Sequence, residues 1–136
     1  MRTTIVTLVL LALAACTSPV NTAEPAHSGA TPQEQWIDKI EKSSTLADKV
    51  NVVSAYVGES GGNRRVQLNV KNGGNYPQDL RYRFEWFDGQ GFKLYNPTEG
   101  WTNLTLRAGE QASLQATAPS PDAVDWRFTV QDWDRK

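Results

Sequence analysis

Cysteine occurs once in this 136-residue chain, histidine once, and methionine only at the first position. A single thiol excludes an internal disulfide, the usual staple of small secreted domains, so packing alone has to hold the fold. One histidine, His27, excludes a zinc site of the His-Glu-x-x-His kind, and one cysteine excludes a cysteine cluster. Basic excess is missing as well: 14 Lys and Arg stand against 15 Asp and Glu, for a formal net charge of -1. Phosphate backbones are held by a cationic surplus, which leaves no nucleic-acid partner to expect. Long apolar runs are also missing. The stretch from Ile5 to Leu13 is cut off by Thr17-Ser18-Pro19, short of the roughly 20 residues a spanning helix needs. No nucleophile elbow, phosphate-cradling glycine loop or acidic calcium loop occurs, and the chain is expected not to be an enzyme.

What the chain does have begins at its start. Arg2 leads into the apolar stretch, which closes on Leu13-Ala14-Ala15-Cys16, the order of a secretory signal with small residues at the cleavage site. The lone cysteine stands where a lipobox requires one. In this the chain resembles a bacterial lipoprotein precursor. The resemblance implies recognition of Leu13, Ala14 and Ala15 by a signal peptidase, cleavage before Cys16, a diacylglyceryl group on the thiol and an acyl chain on the new amine. No other cofactor is expected. Each added chain contributes about 0.8 kcal/mol per buried methylene, so three of them anchor in effect permanently. Thr17 follows the cysteine where aspartate would signal retention at the inner membrane, so the same resemblance places the product on the periplasmic face of the outer membrane of a Gram-negative cell.

Residues 1–15 are thus read as signal peptide and 16–31 as the lipidated start of a flexible tether rich in Ser, Thr, Pro, Ala and Gly. Extended, it reaches at most about 50 Å. His27 lies within it and is read as a solvated side chain. Thr31-Pro32-Gln33-Glu34 has the order of a capping box with proline at the first helical position, and Trp36, Ile37 and Ile40 form one apolar stripe. That predicts a short helix over 32–42.

Beyond it, over 43–136, the period changes to two. Val66, Leu68 and Val70 alternate with polar residues, as do Leu80, Tyr82, Phe84 and Trp86, then Leu104 and Leu106, then Ala112, Leu114 and Ala116, then Val124, Trp126, Phe128 and Val130. Val50 to Val57 is β-branched with a break near Val52-Val53, read as a bulge or a double-sided strand. Turn chemistry separates the runs at Gly61-Gly62, Asn72-Gly73-Gly74-Asn75, Asp88-Gly89, Ala108-Gly109 and Pro119-Ser120-Pro121. The expectation is an all-β, immunoglobulin-like antiparallel sandwich of about seven strands.

With His27 in the tether, acid–base chemistry would fall to Glu85, Asp88, Asp122, Asp125, Asp132 or Asp134. Glu85 reads as a cross-strand charge pair and Asp88 as a turn residue, and the terminal acids read as a solvated end. Aromatics are more informative, since the chain has five tryptophans. Tyr82, Phe84, Trp86, Trp126 and Phe128 take the inward phase and are assigned to the core. Phe87 is out of phase with Trp86 and faces outward beside Arg81 and Arg83, while Tyr76, Tyr95 and Trp101 lie in connections. Aromatic and arginine side chains dominate interface hot spots, so Phe87, Arg81, Arg83, Tyr95, Trp101 and Tyr76 form the candidate binding surface. The other reading of the loop is a minor core beneath Tyr95 to Trp101.

The string Tyr82-Arg83-Phe84-Glu85-Trp86-Phe87-Asp88-Gly89-Gln90-Gly91, with Trp101, Leu106, Gly109, Leu114 and Ala118-Pro119 after it, is similar to the YcfL family of small bacterial lipoproteins over about residues 46–130. The resemblance implies a lipid-anchored periplasmic sandwich and carries no catalytic residue. The function expected is docking of an envelope protein, in peptidoglycan synthesis or envelope assembly. The alternatives are an outer-membrane tether of a secretion machine, which would use its loops, and a glycan binder stacking sugars on Trp101, Tyr95 and Tyr76.

Overall fold

The computed structural model describes residues 29–133. Leu13, Ala14, Ala15, Cys16, Thr17, His27 and Asp134 lie outside the described residues, and with them the signal peptide, the lipidation site and most of the tether. Two 3-10 turns, Gln33–Gln35 and Ile37–Lys39, precede seven strands: β1 (Ile40–Lys42), β2 (Val50–Ser60), β3 (Asn63–Asn72), β4 (Gln78–Phe87), β5 (Thr102–Leu106), β6 (Gln111–Thr117) and β7 (Asp125–Asp132). They form a four-stranded sheet in the order β1-β7-β4-β5 and a three-stranded sheet in the order β2-β3-β6. The sandwich expected from the alternation is the fold observed. The connections β3–β4, β5–β6 and β6–β7 pass from one sheet to the other, as in an immunoglobulin-like Greek key.

The period of two decides which side chains meet. Val66, Leu68 and Val70 of β3, Leu80, Phe84 and Trp86 of β4, and Trp126, Phe128 and Val130 of β7 are all buried and share one core with Leu106 and Leu114. Phe84 and Phe128 face each other across the β4–β7 pair with ring centroids 5.0 Å apart. The break read at Val52-Val53 is a real bulge: the β2–β3 register slips between Val52 and Ser54, leaving Val53 exposed. Val124 departs from expectation. It lies just ahead of β7 and is exposed, since its amide is drawn to the Phe87 carbonyl (3.0 Å) where the strand begins.

The helix expected over 32–42 does not form. Its capping hydroxyl is engaged elsewhere: Thr31 Oγ1 accepts from the Val57 amide (3.0 Å), and the Thr31 amide donates to Ala55 O (2.7 Å), so Thr31 pairs with the edge of β2. Ile40–Lys42 then pair in parallel with Phe128–Val130 of β7. A helix of so few turns is marginal in water, and two sheet edges offer its backbone better partners. Trp36 is buried between these attachments, its indole N–H donating to Thr31 O (3.0 Å), whereas Ile37 of the expected stripe is exposed.

Candidate functional site: the outer face of the four-stranded sheet

Inward-facing residues of β4 alternate with Asp79, Arg81, Arg83, Glu85 and Phe87, which point away from the core. The register sets their neighbours: Arg81 lies beside Gln131 and Asn103, Arg83 beside Thr129, Glu85 beside Arg127 and Phe87 beside Asp125. Trp101 enters immediately before β5. Its ring packs against both guanidiniums, 4.8 Å from that of Arg81 and 4.7 Å from that of Arg83. Each such cation–π contact contributes roughly 0.5–2 kcal/mol depending on desolvation. Arg81 Nη2 also donates to Gln131 Oε1 (3.1 Å). The Nε atoms of both arginines are buried with no acceptor among the described residues. Trp101 therefore closes a cationic stack on the sheet, and the minor core considered under Tyr95 to Trp101 is not what it builds.

The connection from β4 to β5 folds back to supply the rest. Asp88 Oδ1 accepts from the amides of Gln90 and Phe92 (both 2.9 Å), the turn chemistry expected of it. Leu94 N donates to Trp86 O (2.8 Å). That return delivers Lys93 to Glu85. Lys93 Nζ donates to Glu85 Oε1 at 2.8 Å and to Glu99 Oε1 at 2.6 Å, and Arg83 Nη2 lies 3.5 Å from Glu85 Oε1.

Burial pushes the Glu85 carboxyl upward. The hydrogen bond from Lys93 and the positive charges of Arg83, Lys93 and Arg127 outweigh it, and the group is held below its ordinary value of 4.5. The hydrogen bonds to Glu85 and then Glu99 raise Lys93 above 10.5. A carboxylate with a depressed folded-state pKa contributes stability that is present above its unfolded value and lost as pH falls through the folded one. Acid denaturation should accordingly carry a component below about pH 4.5 that Glu85→Gln removes, with the variant less stable at pH 7. Equal pH dependence of unfolding in the two proteins would refute the assignment.

Of the six residues assigned to the binding surface, the structure gathers Arg81, Arg83 and Trp101 into one stack. Phe87 lies further along the same strand face, half-buried beneath the Arg127 guanidinium (5.4 Å). Tyr95 and Tyr76 are not part of it. Tyr76 is in the turn before β4 and Tyr95 in the connection after it, both exposed (75% and 87%), with most of the strand between them, on the order of 25 Å. The three aromatics proposed for stacking sugars do not form one platform. Lys93, Glu99 and Arg127 were not singled out from sequence. Only Arg127 left a signal there, its outward phase on β7.

Among the described residues no group of three or more His, Cys, Asp or Glu is placed to hold a metal, and no helix is long and apolar enough to cross a membrane. A family model described as a protein of unknown function, DUF1425, matches residues 37–132. The fold is similar to the crystal structure of a DUF1425 family member from Shewanella sp. PV-4, with TM-score 0.58 and 23% identity over 64% of this chain and 81% of that one. It is also similar to Cj0090 of Campylobacter jejuni, with TM-score 0.59 and 21% identity over 70% of this chain and 98% of that one. Among curated proteins nothing matches.

Proposed function

We propose that this chain, which belongs to the DUF1425 family, is a non-enzymatic lipoprotein that docks an envelope protein on the outer face of its four-stranded sheet. The motif string around Tyr82 to Gly91 also resembles the YcfL lipoproteins, a reading compatible with that family. The observation that carries the docking reading is the Arg81–Trp101–Arg83 stack. A tryptophan with two flanking guanidiniums, half-exposed on a flat strand face, combines the residue types that dominate binding energy. Guanidiniums bind carboxylates in a bidentate fork, so the partner presents an acidic side chain to this face. The lipobox ending at Cys16 supports membrane attachment.

Crosslinking and pull-down of the lipidated protein from envelopes tests both parts. Trp101→Ala should lower recovery of the crosslinked partner at least about tenfold, the equivalent of 1.4 kcal/mol, and Cys16→Ala should abolish palmitate incorporation. A partner recovered equally with Trp101→Ala refutes the docking face, and unchanged palmitate label refutes the anchor. The secretion-tether reading draws on one observation, the exposure of Phe92 (68%) and Tyr95 in the β4–β5 connection. It is favoured instead if Phe92→Ala and Tyr95→Ala abolish recovery while Trp101→Ala does not.

A further inference from the structure

Strand β5 covers only the first half of β4. Their pairing ends at Tyr82 and Thr102, and the connection between the two strands bonds to the far half of β4 only near its end, where Leu94 N donates to Trp86 O (2.8 Å). Main-chain direction along β4 alternates. Trp133 N donates to Asp79 O (3.1 Å), so odd-numbered positions bond to β7 and even-numbered ones face the β5 side. Phe84, between the two attachments, therefore turns its amide and carbonyl into a gap, and Trp86 adds its amide. None of these three groups has a hydrogen-bond partner among the described residues. Both residues are buried (8% and 1% exposed), and main-chain groups so placed nearly always meet a partner, within the protein or bound to it.

The gap opens on a cavity of about 220 Å³ beside the end of β6, with Tyr82, Phe84 and Trp86 on one side and Gln115, Ala116 and Thr117 on the other. Ala118 N donates to Arg64 O (2.7 Å) and Asn72 N to Glu110 O (2.9 Å), so even-numbered positions bond to β3. Gln115 and Thr117 turn their main-chain groups the other way. Asn96 of the β4–β5 connection also lines the cavity. Its Oδ1 accepts from the amide and hydroxyl of Thr98 (3.1 and 2.8 Å), which leaves its amide nitrogen to donate. The apolar part of the wall is a corner: the Tyr82 and Phe84 rings stand at 88° with centroids 6.3 Å apart.

These features narrow the occupant. It is uncharged, because Arg83 and Glu99, the charged residues among those lining the cavity, are opposite in sign and already engaged, one on Trp101 (4.7 Å) and the other by Lys93 (2.6 Å). It is not an added strand, since a strand bonds through a run of alternate residues and Phe84 is the single position here with both groups open. It is small, since drug-sized ligands take sites of roughly 300 Å³ upward. It carries donors and acceptors side by side. A hydroxyl is both, and two hydroxyls on adjacent carbons answer the amide and carbonyl of one extended residue, while the C–H face of their ring lies against the aromatic corner.

We infer that this cavity is a binding site for one uncharged sugar ring, held by the main chain of Phe84 and Trp86 from β4, by that of Gln115 and Thr117 from β6, and by the Asn96 amide. The inference goes beyond face docking and does not rest on it: the site lies between the sheets and takes a small molecule. Tyr76, Tyr95 and Trp101 have no part in it.

Glucose, galactose, mannose and N-acetylglucosamine, each titrated into the isotope-labelled full chain and followed by amide chemical shifts, provide the probe. At least one should bind with a dissociation constant on the order of 1 mM, with saturable shifts at Phe84, Trp86, Gln115 and Thr117. Ala116→Leu fills the cavity from β6 and should weaken binding at least about tenfold, and Asn96→Ala at least about threefold. Thermal melts show which variants fold, and if Ala116→Leu does not, Asn96→Ala carries the test. Glucuronate, which exchanges the primary alcohol of glucose for a carboxylate, should bind no more tightly than glucose. Four results overturn the inference: no saturable shift with any of the four sugars, which would leave the gap to water; shifts confined to Tyr76, Tyr95 or Trp101; unchanged affinity in the folded variants; or glucuronate bound at least about tenfold more tightly than glucose, which would make this a site for an anion.

Discussion

Asn72→Leu is expected to destabilise the fold by about 2–5 kcal/mol, because the side chain it removes joins three backbone segments at once. Asn72 is fully buried at the end of β3. Its Nδ2 donates to Leu106 O of β5 (3.0 Å) and to Tyr76 O (2.8 Å), and its Oδ1 accepts from Gly74 N (2.9 Å). The Leu106 bond crosses from one sheet to the other, and the remaining two shape the turn that carries the chain between them. Leucine has the same number of side-chain heavy atoms, is bulkier and carries no polar atom. It strands a buried carbonyl, which costs about 1–3 kcal/mol, and two partly buried groups that cost less. Set against a typical total of about 5–15 kcal/mol, the melting temperature should fall by about 10–30 °C, readable by circular dichroism. Asn72→Asp keeps the acceptor for Gly74 but turns an oxygen toward two carbonyls, and should be at least as damaging. A fall of less than about 4 °C for both variants would show that the bracket contributes little.

The second large effect belongs to Trp86, which is 1% exposed, pairs across the sheet with Trp126 and lines the cavity beside β6. Trp86→Ala should cost about 3–5 kcal/mol, the usual range for deleting a buried aromatic. No disulfide among the described residues can offset it, since the chain has one cysteine. Trp101→Ala should cost less, about 1–2 kcal/mol, because its ring is half-exposed and gives up mainly two cation–π contacts of roughly 0.5–1 kcal/mol each. Urea titrations of the two variants separate the roles. Similar losses would mean that Trp101 belongs to the core and that its effect on binding is indirect.

Much of the sandwich was legible because alternation is a local signal with a global cause. Wherever one face is buried, polar and apolar residues must take turns, and β3, β4 and β7 show this without interruption. The Val53 bulge was legible for the same reason, as a break in phase. Residues 32–42 were not legible. Their capping pattern is sound by local rules, but the partners that overrule it, Val57 and the edge of β7, are respectively about 26 and 88 positions away in sequence. Asn72 read as an ordinary turn residue because its neighbours are glycines, and nothing local reveals that its side chain reaches Leu106. At the candidate site the outward phase gave Arg81, Arg83 and Phe87. Lys93 and Glu99 come from an aperiodic connection whose path depends on the Leu94–Trp86 bond.

The two attachments of the first described residues also determine how the domain carries mechanical load. Tension applied through residue 29 meets the single bridge at Thr31 first, and that bridge opens alone. The load then reaches β1, which lies parallel to β7, so a pull between the start of β1 and the end of β7 runs along the strands and strains their hydrogen bonds together instead of unzipping them one by one. Resistance to forced opening is governed by the unfolding rate, and three residues at the edge of the sheet set it for a domain held at one point and gripped at another.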